Sequence, residues 1–147
     1  MFKKTIEENI AYGKIGSSAD EIYKAAEAAN IAALLRQNLL SENKDELYSK
    51  GQKERISLAS LILKKPKIFL FDKATVGLDK ISAYEMQKVI FDKGINTTTV
   101  VVSDRAVVLQ KCDFVFFLHK GKIVEQGTHE DLMHTKGLYF DLFKLQL

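Results

Sequence analysis

The chain has 147 residues, of which 46% are hydrophobic and 28% charged, and this is enough for a globular domain with a hydrophobic core. Its net charge of +3 is small and its lysines are scattered, which argues against nucleic-acid binding, because such surfaces concentrate basic residues. The longest apolar run, residues 114–118, is far shorter than the roughly twenty residues of a membrane-spanning helix, so we expect no direct membrane insertion.

The cysteine count and the N-terminus indicate a compartment. Cys112 is the only cysteine, so an internal disulfide is impossible and a reducing interior suits the chain. The basic residues after Met1 are not followed by a long apolar stretch, which argues against a signal peptide. We therefore expect a cytoplasmic protein that is peripheral to a membrane only through a partner chain.

The first half of the chain is predicted to be mainly helical. Ser18 and Glu21 have the spacing of a capping box, and apolar residues recur at helical spacing after them, which predicts a helix over residues 19–37. The polar residues 41–50 predict an exposed loop. A second helix is expected over residues 51–63, because its apolar positions share one face and a proline follows it.

The next part of the chain alternates strands with a helix. Residues 68–71 form a short continuous apolar run that ends at Asp72, as expected of a strand that is buried on both faces. A helix over residues 81–91 then leads into residues 97–102, a β-branched run with a strong preference for strand.

The C-terminal part is predicted to contain a hairpin and a closing helix. Residues 114–118 and 122–124 flank the turn Lys120-Gly121, which indicates two paired strands. Thr128 can cap a helix, and Gly137 interrupts it. Strands that alternate with helices favour an α/β fold with parallel strands, in one domain.

Two local patterns suggest contact with phosphate or metal, and each also has a structural interpretation. Asp72 follows an apolar strand, where folds that handle phosphate present a carboxylate to a metal ion, but aspartate also ends strands by forming turns. The segment Tyr48-Ser49-Lys50-Gly51-Gln52 precedes a helix whose free N–H groups can bind phosphate; alternatively, Ser49 is only the helix cap. The local patterns leave both alternatives open.

A longer, ordered set of motifs resembles the ATP-binding-cassette (ABC) ATPases, over nearly the whole chain and at nearly the family's spacing. The motifs are Phe2-x-x-Thr5-Ile6-x-x-Asn9-Ile10, Tyr48-Ser49-Lys50-Gly51-Gln52-Lys53-x-Arg55-Ile56, Lys65-Pro66-Lys67-Ile68-x-Leu70-x-Asp72-x-Ala74-Thr75-x-x-Leu78-Asp79, Thr98-x-Val100-Val101-x-x-x-Arg105, Gly121-Lys122-Ile123-Val124-Glu125-Gln126-Gly127-Thr128-His129-Glu130-Asp131-Leu132 and Gly137-x-Tyr139. The first and the last of these blocks are most similar to multidrug and lipid exporters.

The resemblance implies a partial P-loop ATPase core of the RecA-like α/β class, with parallel strands, a helical signature segment and a C-terminal β-hairpin plus helices. We expect one partial domain over residues 1–147, divided into a helical signature region at about residues 14–65 and a core at about residues 66–147. In this family a phosphate-loop strand runs through the sheet. Without it, the strand at 98–102 is expected to lack a neighbour or to pair with residues 114–118.

The resemblance also implies a nucleotide site shared by two ATPase domains, each ATP lying between one domain's phosphate loop and the other's signature. The phosphate-loop pattern G-x-x-x-x-G-K-[ST] occurs nowhere in the 147 residues, so we expect the chain alone to take no cofactor. The expected contacts to an ATP held by an intact partner are Ser49, Lys50, Gly51 and Gln52, and Lys50 replaces a glycine of the family's signature.

The remaining site residues follow from the same resemblance, and none of them forms an intact catalytic group. Asp72 is the Walker B aspartate and would hold Mg²⁺ only in a site completed by another chain; an ion pair with Lys73 is the alternative. Lys73 stands where the family has a glutamate, and a protonated lysine cannot act as a general base. Asp104 replaces the switch histidine, and its carboxylate would repel phosphate. Asp79 retains the aspartate of the loop for communication between subunits.

Three hypotheses about function remain at this stage. The chain is an inactive fragment of an exporter's nucleotide-binding domain, or a pseudo-ATPase that supplies its degenerate signature to an intact ABC ATPase, or a decayed product without activity. The expected partners are an intact ABC ATPase subunit and a membrane-spanning exporter chain, with ATP and Mg²⁺ present only in such a complex.

Overall fold

A computed structural model describes residues 4–40, 48–91 and 97–146. The elements are α1 (Ile6–Ala11), α2 (Ala19–Ala28), α3 (Ala32–Leu40), α4 (Lys50–Leu63), β1 (Ile68–Asp72), α5 (Lys80–Ile90), β2 (Thr98–Val102), α6 (Ala106–Leu109), β3 (Val115–His119), β4 (Lys122–Gly127), α7 (His129–Thr135) and α8 (Leu138–Lys144). The chain forms two compact units, Met1–Val101 and Val102–Leu147. The boundary near residue 65 that the sequence suggested within a single domain stays a prediction.

Reciprocal side-chain caps begin the first two helices. The Ser18 hydroxyl accepts the N–H of Glu21, and the Glu21 carboxylate accepts the N–H of Ser18, so the predicted capping box is confirmed. Thr5 and Glu8 form the same pair at the start of α1, with distances of 3.1 and 2.9 Å. We did not predict α1, although Thr5-x-x-Glu8 carries the same signal. Loss of such a cap typically costs about 1 kcal/mol.

The prediction of one helix over residues 19–37 is wrong, because the chain breaks between α2 and α3. Asn30 lies in this break with φ 55°, a left-handed conformation that asparagine tolerates and that commonly ends a helix. The N–H of Ile31 then donates to the carbonyl of Ala26 at 2.8 Å. Apolar alanines continue at helical spacing through the break, so periodicity alone does not reveal it.

Helix α4 is the centre of the first unit, and α1, α2 and α5 pack against it. The predicted helix over residues 51–63 is confirmed, with Lys50 as its first residue. The side chains with at most 1% of their surface exposed in this core are Ile6, Ile10, Ala26, Ala29, Ile56 and Ala59. Burial of each isoleucine stabilises the fold by roughly 1.5–3 kcal/mol.

Helix α5 approaches the first turn of α4 at a glycine. Gly51 is buried, and a Cβ added to it would lie 2.5 Å from the Ser82 hydroxyl oxygen and 2.7 Å from the Ser82 Cβ. Any larger residue at position 51 would therefore separate the two helices. Gly51 fixes the distance between the start of α4 and the start of α5.

Strands β1 and β2 form a two-stranded parallel sheet, which confirms the expected α/β class with parallel strands. The N–H of Thr98 donates to the carbonyl of Lys67 at 3.2 Å, so both strands begin at the same end. The expected alternative in which residues 98–102 pair with residues 114–118 is wrong, because β2 pairs with β1, and β3 pairs with β4 in a separate two-stranded sheet. Among the described residues, β1 is the only hydrogen-bonded neighbour of β2.

The faces of β1 differ in burial. Phe69 and Phe71 lie buried on one face with their rings stacked at 5.6 Å. Ile68 and Leu70, on the other face, are 62% and 68% exposed. The prediction that this strand is buried on both faces is therefore wrong, since nothing within the described residues covers the second face.

In the second unit, β3 and β4 form the predicted antiparallel hairpin. Lys120 and Gly121 at its turn have φ values of 49° and 75°. Two successive positive φ angles are typical of the turn whose twist matches that of the flanking strands. The hairpin packs against α7 and, through Phe117 and Tyr139, against α8. The predicted cap Thr128 begins α7, where its hydroxyl accepts the N–H of Asp131 at 3.2 Å.

Tyr139 occupies the centre of this unit and is fully buried. The Phe117 ring meets it edge-on at 6.3 Å, and the Phe143 ring lies at 6.1 Å. Its hydroxyl shares a hydrogen bond with Nδ1 of His129 at 2.9 Å. Since a buried phenol needs a polar partner, His129 has a structural role in this core.

A carboxylate connects the hairpin to α8. The two Glu125 oxygens accept the N–H groups of Leu138 at 2.6 Å and of Tyr139 at 3.2 Å. Gly137 has no side chain, and a Cβ there would lie 2.5 Å from Glu125 Oε1, so glycine makes room for the carboxylate. The negative charge also suits the positive end of the helix.

We predict that Glu125→Gln destabilises the second unit by about 1–2 kcal/mol, because an amide has one acceptor oxygen and no charge for two N–H donors. Urea unfolding of the variant and of the parent chain measures this difference. Glu130→Gln, a change at an exposed position, is the control and should stay within about 0.5 kcal/mol. Equal effects of the two substitutions would contradict the role of Glu125.

We also predict that Gly51→Ala destabilises the first unit by about 1–3 kcal/mol, because the new methyl group overlaps Ser82. The same change in a Ser82→Gly background should be nearly neutral, since both overlapping atoms are then gone. Unfolding free energies of the four chains give the coupling. An unchanged loss in the Ser82→Gly background would show that this contact does not set the helix distance.

Candidate functional site

The signature segment lies at the N-terminus of α4, and two of its residues cap each other. The Ser49 hydroxyl accepts the N–H of Gln52 at 3.2 Å, and the Gln52 side-chain oxygen accepts the N–H of Ser49 at 2.8 Å. The structural interpretation of Ser49 as the helix cap is therefore correct. Contact of this segment with a nucleotide stays a prediction.

Lys50, which replaces a glycine of the family's signature, reaches across to another segment. Its ammonium donates to the backbone carbonyl of Val76 at 3.0 Å. Gly77 comes next, and a Cβ there would lie 2.6 Å from the same nitrogen. The Lys50 contact places the signature against the loop that follows β1, and the approach of Gly51 to Ser82 places it against the first turn of α5.

Asp72 and Lys73 lie at the carboxyl end of β1, and both are exposed. Lys73 has φ 50°, so the chain turns sharply after the strand. No ion pair within 4.0 Å joins these two side chains, so the structure does not show the Asp72–Lys73 alternative.

The residues around Asp72 offer an incomplete set of metal ligands. Over the described ranges, no group of three histidine, cysteine, aspartate or glutamate side chains could hold a metal ion. Mg²⁺ commonly combines one or two carboxylates with water and substrate phosphates. A role of Asp72 as one such ligand stays a prediction.

Asp79 is the N-cap residue of α5. Its carboxylate accepts the N–H of Ser82 at 2.9 Å. Hydrogen bonds from the Ser82 side chain and backbone lower the pKa of the Asp79 carboxyl. The cap is therefore charged at neutral pH, and its contribution is lost as the pH falls through the lowered pKa. A role in communication between subunits stays a prediction.

Asp104 belongs to the second unit, where Gln146 holds its backbone through hydrogen bonds. The Gln146 amide nitrogen donates to the Asp104 carbonyl at 2.6 Å, and the Gln146 oxygen accepts the N–H of Ala106 at 2.8 Å. The Asp104 side chain is exposed. We did not predict this role for Gln146, because its partners lie about forty residues away in sequence.

The structure thus brings only some of the predicted site residues together. Within the first unit, Lys50 of the signature contacts the loop between Asp72 and Asp79, and Gly51 lies against Ser82 of α5. The sequence did not predict the two contacts that create this arrangement, that of Lys50 with the Val76 carbonyl and that of Gly51 with Ser82. A backbone acceptor leaves no signal in the sequence.

The chain is similar to known exporters over almost its whole length. The sequence model of the family described as ABC transporter matches residues 1–76. ABC transporter B family member 3 of Dictyostelium discoideum is 38% identical over 151 residues, which cover 99% of this chain and 10% of that protein. ATP-binding cassette sub-family B member 5 of Homo sapiens is 39% identical over 153 residues, covering 99% of this chain and 12% of that protein.

A solved structure shows the same fold. The structure of a bacterial Atm1-family ABC exporter with ATP bound has a TM-score of 0.83 and 34% identity, covering 99% of this chain and 26% of that one. The chain therefore spans about a tenth of the length of the curated relatives and about a quarter of the solved exporter chain. In the part of the chain that the structure describes, no helix has the length and apolarity to cross a bilayer. The chain belongs to the ABC transporter family, as part of an exporter-type nucleotide-binding domain.

Proposed function

We propose that this chain is a catalytically inactive part of an exporter's nucleotide-binding domain, which keeps the fold and the surface toward a second ATPase domain. One observation carries the proposal: the 147 residues contain no phosphate-loop pattern. Without the backbone N–H groups and the lysine of a phosphate loop, nothing in this chain holds the β- and γ-phosphates.

The charges at the replaced positions support the same conclusion. Lys73 stands where the family has a glutamate, and a lysine ammonium cannot accept a proton from an attacking water. Loss of a general base alone typically reduces a rate by about 10²–10⁴-fold. Asp104 adds a carboxylate where the family directs a histidine toward phosphate, and like charges repel there.

A second candidate function is supported by the geometry of α4. Ser49 and Lys50 are exposed at the start of a 14-residue helix, whose N–H groups and positive dipole end are suited to an anion. In this alternative the chain is a pseudo-ATPase that presents Ser49, Lys50, Gly51 and Gln52 to an ATP held by an intact ABC ATPase. The ATP and Mg²⁺ would then belong to the complex, with Asp72 as one metal ligand.

We predict that the isolated chain binds Mg-ATP no more tightly than about 1 mM, the range of weak non-specific contacts, because it lacks the phosphate cradle. Titration calorimetry measures this, with an intact exporter ATPase domain as the positive control. A micromolar dissociation constant for the isolated chain would contradict the proposed function.

The second candidate predicts retention of the chain on an immobilised, intact exporter ATPase domain in the presence of Mg-ATP, and its loss when nucleotide is omitted. The physical reason is that the ATP itself would form part of the interface. A partner domain whose phosphate-loop lysine is replaced serves as the control, because it cannot hold ATP in place. Equal retention with and without nucleotide, or no retention, would exclude lending of the signature.

A further inference from the structure

We propose that Lys50 is a positioning residue: the hydrogen bond of its ammonium holds the turn of residues 73–77 against the first turn of α4. The contact joins segments 26 residues apart, with Nζ of Lys50 3.0 Å from the Val76 carbonyl oxygen. A hydrogen bond from a charged donor is stronger than a neutral one. This inference does not rest on the proposed function, because it concerns a contact within the chain.

The turn of residues 73–77 carries backbone strain, and the hydrogen bond from Lys50, which lies outside the turn, offsets it. Lys73 has φ 50° and Gly77 has φ 74°, so both ends of the turn are left-handed. A positive φ is unfavourable for lysine, since it has a Cβ. Inside the turn, the Val76 N–H donates to the Lys73 carbonyl at 2.9 Å, and the bond from Leu78 to Thr75 is long, at 3.5 Å. The Lys50 bond adds a link to a rigid helix.

Gly77 makes the contact sterically possible. A Cβ at this position would lie 2.6 Å from Nζ of Lys50, closer than any real Cβ approaches another heavy atom. The glycine therefore serves both the left-handed backbone and the approach of the ammonium.

The contact also explains how a lysine is accommodated as the first residue of α4. A cation at a helix N-terminus is disfavoured by the helix dipole. The long side chain carries the charge away to a carbonyl oxygen, where it is favourable. The ammonium is therefore bonded to the Val76 carbonyl within the chain.

Competitive acylation of lysines, read by mass spectrometry on the full chain, tests the contact directly. Lys53 is the matched internal reference, because it is exposed on the same helix one turn further along. We expect Lys50 to react about three- to tenfold more slowly than Lys53 in buffer, and at the same rate in urea, where the hydrogen bond is lost. Equal rates in buffer would overturn the proposal.

The positioning role is tested by hydrogen exchange at the Val76 and Leu78 amides. Lys50→Met should accelerate their exchange about three- to tenfold, since the turn loses its link to α4. Lys50→Arg should restore slow exchange, because a guanidinium can donate to the same carbonyl, and Lys53→Met should leave exchange unchanged. The proposal fails if Lys50→Met has no effect, or if Lys53→Met accelerates these amides equally.

Discussion

The close approach of α5 to the first turn of α4 is the constraint on which the arrangement of the first unit depends. Gly51 leaves room for Ser82, and Ser82 in turn donates to the carboxylate of Asp79 that begins α5. Both helices therefore start at one place, directly beside the turn that follows Asp72. The signature segment and the start of α5 are close neighbours because Gly51 has no side chain and Ser82 has a small one.

This arrangement separates what the chain retains from what it lacks. The helix cap, the glycine contact and the parallel strand pair are all present, so the family's local geometry persists. The chemical groups are altered at Lys50, Lys73 and Asp104, where the charge differs from the family pattern. Packing tolerates such changes, because these three side chains lie at the surface. Under the proposed function, reaction chemistry does not tolerate them, since it depends on charge beside the phosphate.

Local signals in the sequence predicted a large part of the fold. The capping box of Ser18 and Glu21, the helix over residues 51–63 and the hairpin turn at Lys120 and Gly121 each depend on residues close together in sequence. The break at Asn30 was missed, because the apolar spacing continues across it. Interactions between residues that are close in sequence can be predicted from the sequence. A local change of backbone conformation, such as the break at Asn30, is much harder to predict.

The site was less predictable, because its contacts are distant in sequence. The prediction that β1 is buried on both faces failed at Ile68 and Leu70, since burial depends on what else covers the sheet. The Lys50 contact was missed because its acceptor is a main-chain carbonyl 26 residues away. Resemblance to a family supplied the candidate positions, and only the structure showed that the Lys50 ammonium donates a hydrogen bond to the Val76 carbonyl.

We propose that the absence of a phosphate-loop pattern from the 147 residues, and not the altered charges alone, prevents ATP hydrolysis by this chain. Phosphate release from Mg-ATP by a Lys73→Glu, Asp104→His double variant tests this most directly, because that variant regains the family's base and switch histidine. Our account predicts no release above that of buffer. Release that increases in proportion to the concentration of the double variant would contradict it.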